Sequence, residues 1–206
     1  MKKLGLLTVL TVGCSNLEES SYEVNTDVEQ EMVTMRIDFG QEDGSLDWSP
    51  VNDTVMGGES IGVVDYTDTF VVFEGEVSTD NNGGFVSLRS PTAYYDLSAF
   101  TEVEISYKSQ GHNFKMVLAD RAAWWVPTFE AEIITDSEEW TTTTVSLYDF
   151  EQYDMTGYGD SPTGEAMTSD YLADVIRIDL MNTEFSDGEF ELEVDYIEFR
   201  GPVTAE

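Results

Sequence analysis

The sequence predicts an all-β sandwich with very little helix. Three observations predict it. Apolar residues recur with period two through most of Met35–Arg200, turns rich in Gly, Asn and Asp separate the runs, and sustained helical periodicity is missing. Many short strands without intervening helices point to a sandwich and away from a parallel α/β fold.

The first strand candidates are Met35–Phe39, Phe70–Val77 and Phe85–Ser90. Next, Val103, Ile105 and Tyr107 alternate with Glu102, Glu104, Ser106 and Lys108, and Phe114, Met116 and Leu118 alternate with Asn113 and Lys115. Phe129, Ala131 and Ile133 alternate with Glu130 and Glu132, and Thr143, Val145 and Leu147 follow Trp140. Ile176, Ile178 and Leu180 alternate with Arg177 and Asp179. In the last run Phe190, Leu192, Val194 and Tyr196 share a face, and the phase changes at Tyr196–Ile197, which predicts a bulge or burial on both faces. Thr168–Asp174 has the makings of one or two helical turns. Glu151–Ser169, with Gly157, Gly159, Pro162 and Gly164, reads as the longest irregular stretch.

Charge excludes several functions. The chain carries 42 acidic residues against 9 basic ones, a formal net charge of −33. Nucleic-acid binding requires a basic stripe, and adsorption on anionic lipid requires basic clusters. Self-repulsion of this size is relieved by salt. The single cysteine, Cys14, and single histidine, His112, exclude an internal disulfide and a zinc site made only of Cys and His. No Ser or Cys is placed beside His112, so a hydrolase triad has no support. His112 follows Gly111 in a turn pattern and reads as a surface residue.

Residues 1–14 have the tripartite pattern of an export signal: Lys2 and Lys3, an apolar run Leu4–Val12, and the small Gly13. Cys14 directly after it resembles the lipid-attachment cysteine of bacterial lipoproteins, which implies export and anchoring to the bacterial cell envelope through lipid alone. Residues 15–34 hold six acidic and no basic side chains and read as a flexible tether. Residues 35–201 form the single domain, and 202–206 a short tail.

Two local sequences stand apart: Trp48-Ser49-Pro50-Val51-Asn52-Asp53-Thr54-Val55-Met56-Gly57-Gly58-Glu59-Ser60, and Asn82-Gly83-Gly84-Phe85-Val86-Ser87-Leu88-Arg89. The Gly pairs mark positive φ or close approach of another segment. These motifs, with Trp140, Asp149-Phe150 and Asp187-Gly188 further on, resemble the complex I intermediate-associated protein family of the thirty-kilodalton type. The resemblance implies a galactose-binding-like jelly roll, and a link to respiratory complex assembly in mitochondrial members.

The function expected is a noncatalytic, lipid-anchored interaction module. It binds a protein partner and assists assembly of an envelope or respiratory complex; the alternative is a surface carbohydrate-binding module. The motif residues Trp48, Asn52, Asp53, Met56, Gly57, Gly58, Asn82, Gly83, Gly84, Phe85 and Arg89 are structural or ligand-facing. Arg89 is exposed if the Val86 face is the core; otherwise it is buried and requires an anionic partner, for which Asp53 is the candidate. Trp124, Trp125, Tyr153 and Tyr158 are candidate stacking aromatics, with ordinary packing as the alternative. No cofactor is expected; structural calcium would need carboxylates and carbonyls that the sequence does not single out.

Overall fold

A computed structural model of the chain describes residues 31–40, 47–123, 125–154 and 161–203, with the backbone of Leu6–Leu7 and Tyr22–Glu23. The chain divides into two compact units, Met1–Glu31 and Met32–Glu206. The first contains the antiparallel pair Leu6–Leu7 and Tyr22–Glu23. Cys14, the rest of the export signal beyond Leu6–Leu7, most of the tether, Trp124 and Tyr158 lie outside the described residues.

The second unit is a sandwich of two antiparallel sheets. Its strands are β1 (Met32–Asp38), β2 (Ser49–Asn52), β3 (Ile61–Tyr66), β4 (Val71–Val77), β5 (Val86–Arg89), β6 (Glu102–Gln110) and β7 (Phe114–Ala119). They continue with β8 (Thr128–Ile134), β9 (Ser137–Ser146), β10 (Glu151–Asp154), β11 (Ser161–Ala166), β12 (Arg177–Asn182) and β13 (Gly188–Pro202). The α-helix α1 (Ser169–Ala173) fills the predicted place, with the Thr168 hydroxyl accepting from Tyr171 N at its N-terminus. The seven-stranded sheet runs β11-β10-β8-β7-β12-β5-β2, and the six-stranded sheet runs β9-β6-β13-β4-β3, with β1 also pairing β13.

Alternation decides which side chains meet between the sheets. Val86, Leu88, Phe114, Met116, Leu118, Ile178 and Leu180 from one sheet face Val71, Phe73, Val103, Ile105, Leu192, Val194, Ile197 and Phe199 from the other, all fully buried. Phe73 packs edge-on against Phe190 and Phe114, with ring centroids 4.9 and 6.2 Å apart. Burying each such side chain contributes about 1.5–3 kcal/mol. Strand β13 serves two neighbours on one edge, β4 along its first half and β1 along its second. Its register against β6 shifts between Val194 and Tyr196, the bulge that the phase change predicts.

Three expectations are corrected. Glu151–Ser169 is not irregular throughout: it holds β10 and β11. Every residue of β11 is exposed at the sheet edge, so no apolar alternation announced it. His112 is not at the surface but 3% exposed. Gly111, at φ +90°, turns the chain tightly so that the imidazole packs edge-on to Phe190 at 6.4 Å. Strand β1 begins at Met32, inside the segment whose composition reads as tether.

Candidate functional site

The two motifs converge on one carboxylate. Strand β2 pairs with β5, Asn52 opposite Val86 and Ser49 opposite Arg89, and this brings Asp53 to the turn before β5. Asp53 is 2% exposed. Its Oδ1 accepts from Ser60 N at 2.9 Å, and its Oδ2 accepts from the Ser60 hydroxyl at 2.6 Å, Gly84 N at 2.6 Å and Phe85 N at 3.3 Å. The glycines make this possible. A Cβ on Gly58 would collide with the Asp53 carboxyl group, and one on Gly83 would lie 2.5 Å from Oδ2. Gly57 and Gly84 hold φ of +96° and +127°, which L side chains rarely adopt.

The other motif residues frame this turn. The Asn52 amide bonds both backbone groups of Gly62 and so ties β2 to β3. Trp48 is buried and meets Phe39 edge-on at 5.3 Å. Asn82 stands at φ +61° in an exposed turn, Phe85 is half-buried, and Met56 is exposed.

Arg89 does not pair with Asp53. It stands at the far end of β5, roughly 10 Å along the strand from the Asp53 turn. Directly opposite it in register is Asp179 of β12. Arg89 Nε reaches Asp179 Oδ1 at 3.3 Å, and Arg177 Nε reaches both carboxylate oxygens at 3.1 Å. The Val86 face is the core, so this cluster lies on the outward face of the seven-stranded sheet. Arg89 keeps a third of its side chain exposed there, while Asp179 and Arg177 are nearly covered. Burial pushes the Asp179 carboxyl up, against the opposing pull of the two guanidinium groups.

The same face carries a second paired group. Lys115 Nζ contacts Glu130 Oε2, and the Thr128 hydroxyl donates to Glu130 Oε1 at 3.0 Å. Beside it the Tyr153 hydroxyl donates to Glu151 Oε2 at 2.9 Å, which raises the phenol's pKa. One row crosses the sheet in register: Arg89, Asp179, Val117, Glu130, Glu151. The row beside it is Val51, Ser87, Met181, Lys115, Glu132. Among the described residues Arg89, Arg177 and Lys115 lie on this face, each beside a carboxylate. A cleft of about 460 Å³ opens over Lys115, Glu130, Glu132, Glu151 and Tyr153. Trp125, more than half exposed, stands in the β7–β8 loop at the Thr128 end.

The opposite side of the sandwich is different in kind. A cleft of about 660 Å³ on the six-stranded sheet is lined by Glu74, Glu76, Glu189 and Glu191 with Ile61 and Val63. Here Glu76 faces Glu189 and Glu74 faces Glu191 in direct register, like charge against like. Among the described residues no group of three or more His, Cys, Asp or Glu is placed to hold a metal ion.

The family model of Complex I intermediate-associated protein 30 (CIA30) matches residues 37–194. The chain belongs to this family. Comparison with curated proteins by sequence gives no match. Among solved structures the CIA30 chain is similar to the family 11 carbohydrate-binding module from Clostridium thermocellum in complex with a β-1,3-1,4-mixed-linked tetrasaccharide. Identity is 17%, coverage 80% of this chain and 94% of that one, and the TM-score 0.57. It is also similar to the family 11 module of the Clostridium thermocellum cellulosomal cellulase Lic26A-Cel5E, at 15% identity, 84% and 97% coverage and a TM-score of 0.59. These likenesses show the fold: the CIA30 chain is a β-sandwich of the jelly-roll type found in carbohydrate-binding modules.

Sequence reasoning missed Asp179, Arg177, Lys115 and Glu130 as a group, because each looked like the solvated half of an alternating strand. It also missed Asn182, which is 2% exposed. The Asn182 side chain accepts from Val86 N and donates to Gly84 O and Glu184 O, clamping the second motif from β12.

Proposed function

We propose that this CIA30 chain is a noncatalytic carbohydrate-binding module whose ligand lies across the outward face of the seven-stranded sheet. The observation that carries this reading is the pair of covered, rigid polar groups there, Arg89–Asp179–Arg177 and Lys115–Glu130–Thr128. Charges are withdrawn from water on a sheet face only at a cost, which pairing offsets. Fixed by pairing, they present donors and acceptors with little left to order on binding. Sugar hydroxyls donate and accept at once and match such a surface. Trp125 and Tyr153 supply aromatic area at one end, suited to the apolar face of a pyranose ring. The carbohydrate-binding modules that share the fold support the ligand class.

Gel electrophoresis through a soluble neutral β-glucan tests the proposal. Retarded migration of the wild type, lost in Glu130→Gln with an unchanged circular dichroism spectrum, is the expected result. Unretarded migration through neutral and acidic polysaccharides alike would overturn it.

A second reading, a protein partner, draws on the exposed Val55 and Met56 of the motif turn and the exposed Ile61 and Val63 of β3. The family's name, which states association with a complex I intermediate, supports it. Crosslinks from that edge to one protein in cells would favour this reading over the first. In either case the module is proposed to be exported and anchored by lipid on Cys14. Cys14→Ala is then expected to move it from the membrane fraction to the soluble one, and an unchanged membrane fraction would contradict the anchor.

A further inference from the structure

We infer that the outward face of the six-stranded sheet docks a protein segment combining arginine or lysine with apolar side chains, seated over Ile61, Val63 and the four glutamates beside them. This inference rests on the protein-partner reading and gives the partner's chemistry; it does not depend on the carbohydrate reading.

The seat is open. Ile61 and Val63 are 60% and 47% exposed. They alternate with Gly62 and Val64 along β3, so both project outward at the edge of the sheet. They border the cleft of about 660 Å³, and its glutamates, Glu74, Glu76, Glu189 and Glu191, are exposed as well. Register ties the apolar pair to the charge. Ile61 stands opposite Glu76 and Glu76 opposite Glu189; Val63 stands opposite Glu74 and Glu74 opposite Glu191. Among the described residues none of these four carboxylates has a hydrogen bond or an ion pair. The cation of the next row, Lys108, is held by Glu193 at 3.2 Å. Net charge alone does not explain this contrast, because on the seven-stranded sheet Asp179 and Glu130 each lie against a cation.

That register dictates the partner. Any surface that covers Ile61 and Val63 also takes Glu76 and Glu74 out of water. Without cations opposite them, the withdrawal leaves buried, unpaired carboxylates, which is costly. A purely apolar partner is disfavoured for that reason, and an acidic one adds repulsion. A segment carrying both kinds of side chain gains apolar contact on β3 and relieves two opposed pairs of like charge. Arginine suits the opposed pairs best, because one guanidinium has five donors in a fork and reaches two carboxylates at once.

The edge of the sheet sets the mode of docking. The Asn52 side-chain amide bonds the N–H and the C=O of Gly62, at 3.1 and 3.2 Å. The outer edge of β3 is occupied there, so a partner strand does not extend the sheet. The segment lies over the face, and side chains carry the recognition.

Titration calorimetry with the full-length protein tests this, at about 0.15 M salt, where the Debye length is about 8 Å. The probe is a synthetic peptide with serine at every second position and valine and arginine sharing the positions between, so that both fall on one face of an extended chain. Two control peptides replace its valines by serine or its arginines by glutamine. The valine–arginine peptide is expected to bind most tightly. Glu74→Lys is expected to weaken it by about tenfold or more, while the urea midpoint holds or rises, because the repulsion from Glu191 is relieved. Ile61→Ser is expected to weaken the valine–arginine peptide and to leave the peptide without valine unchanged. Glu165→Lys makes the same change of net charge on exposed β11 of the other sheet and is expected to leave binding unchanged. Equal losses in Glu165→Lys and Glu74→Lys would show attraction to the acidic chain as a whole and overturn the site. Tighter binding of the peptide without arginine would overturn the basic partner and leave the protein-partner reading standing. Failure of all three peptides to bind would overturn the inference, and crosslinks from this edge in cells decide the protein-partner reading separately.

Discussion

Replacing Asp53 by Asn separates a carboxylate hub from a mere space-filler at the centre of the motifs. Both Asp53 oxygens receive donors: Ser60 N on one, and the Ser60 hydroxyl, Gly84 N and Phe85 N on the other. An amide supplies one oxygen. Whichever way it turns, an NH2 group faces a backbone N–H, and at least one covered donor loses its acceptor. A charge-assisted hydrogen bond contributes about 1.5–3 kcal/mol, and an orphaned buried donor costs about 1–3 kcal/mol. These costs overlap, so the expected loss is about 2–4 kcal/mol, a large part of the 5–15 kcal/mol typical of a whole domain. With a urea slope of about 2 kcal/mol/M the midpoint falls by about 1–2 M. Gly58→Ala is expected to act in the same direction, because its Cβ enters the space of the carboxyl group. A urea midpoint for Asp53→Asn within error of the wild type would refute the hub.

Arg177→Ala is expected to cost about 3 kcal/mol and Arg89→Ala only about 1 kcal/mol, because Arg177 makes both oxygen contacts to Asp179 and Arg89 remains a third exposed; equal urea midpoints for the two variants would contradict this. Moderate sodium chloride is expected to raise the denaturation midpoint, since Glu74–Glu191 and Glu76–Glu189 are opposed like charges on an acidic chain, and a falling midpoint would refute it. Glu104 loses pKa on folding: burial raises it, but Arg200 and Tyr196 together bring it below the usual carboxylate range. Its stabilisation is therefore present above the ordinary carboxylate pKa and is lost as pH falls through the depressed value, so the destabilisation of Glu104→Gln is expected to shrink in acid. A penalty independent of pH would contradict that assignment.

Strands with one covered face were legible because burial imposes a period. Phe114, Met116 and Leu118 announced β7, and the phase change at Tyr196–Ile197 announced a bulge in β13, which lies between Val194 and Tyr196. Strands β2 and β11 were not legible, since Ser49–Asn52 and Ser161–Ala166 lie at sheet edges, contain proline and bury almost no apolar side chain. The same limit hid the polar face. Asp179 and Glu130 alternate with core residues as any solvated side chain would, and only the register of β12, β7 and β8 shows that they are covered and paired. The motif glycines were readable as positions of special backbone or close approach. The object they approach, the Asp53 carboxylate, required the pairing of β2 with β5.

The central claim is that the outward face of the seven-stranded sheet binds neutral carbohydrate. The most direct measurement is a backbone amide NMR titration of the protein with a neutral β-glucan oligomer. Shifts concentrated on β5, β7, β8 and β12, at Ser87, Lys115, Val117, Glu130 and Asp179, are predicted, with β3 and β4 unmoved. Shifts confined to Ile61, Val63 and Glu74 on the six-stranded side, or none at saturating oligomer, would contradict it.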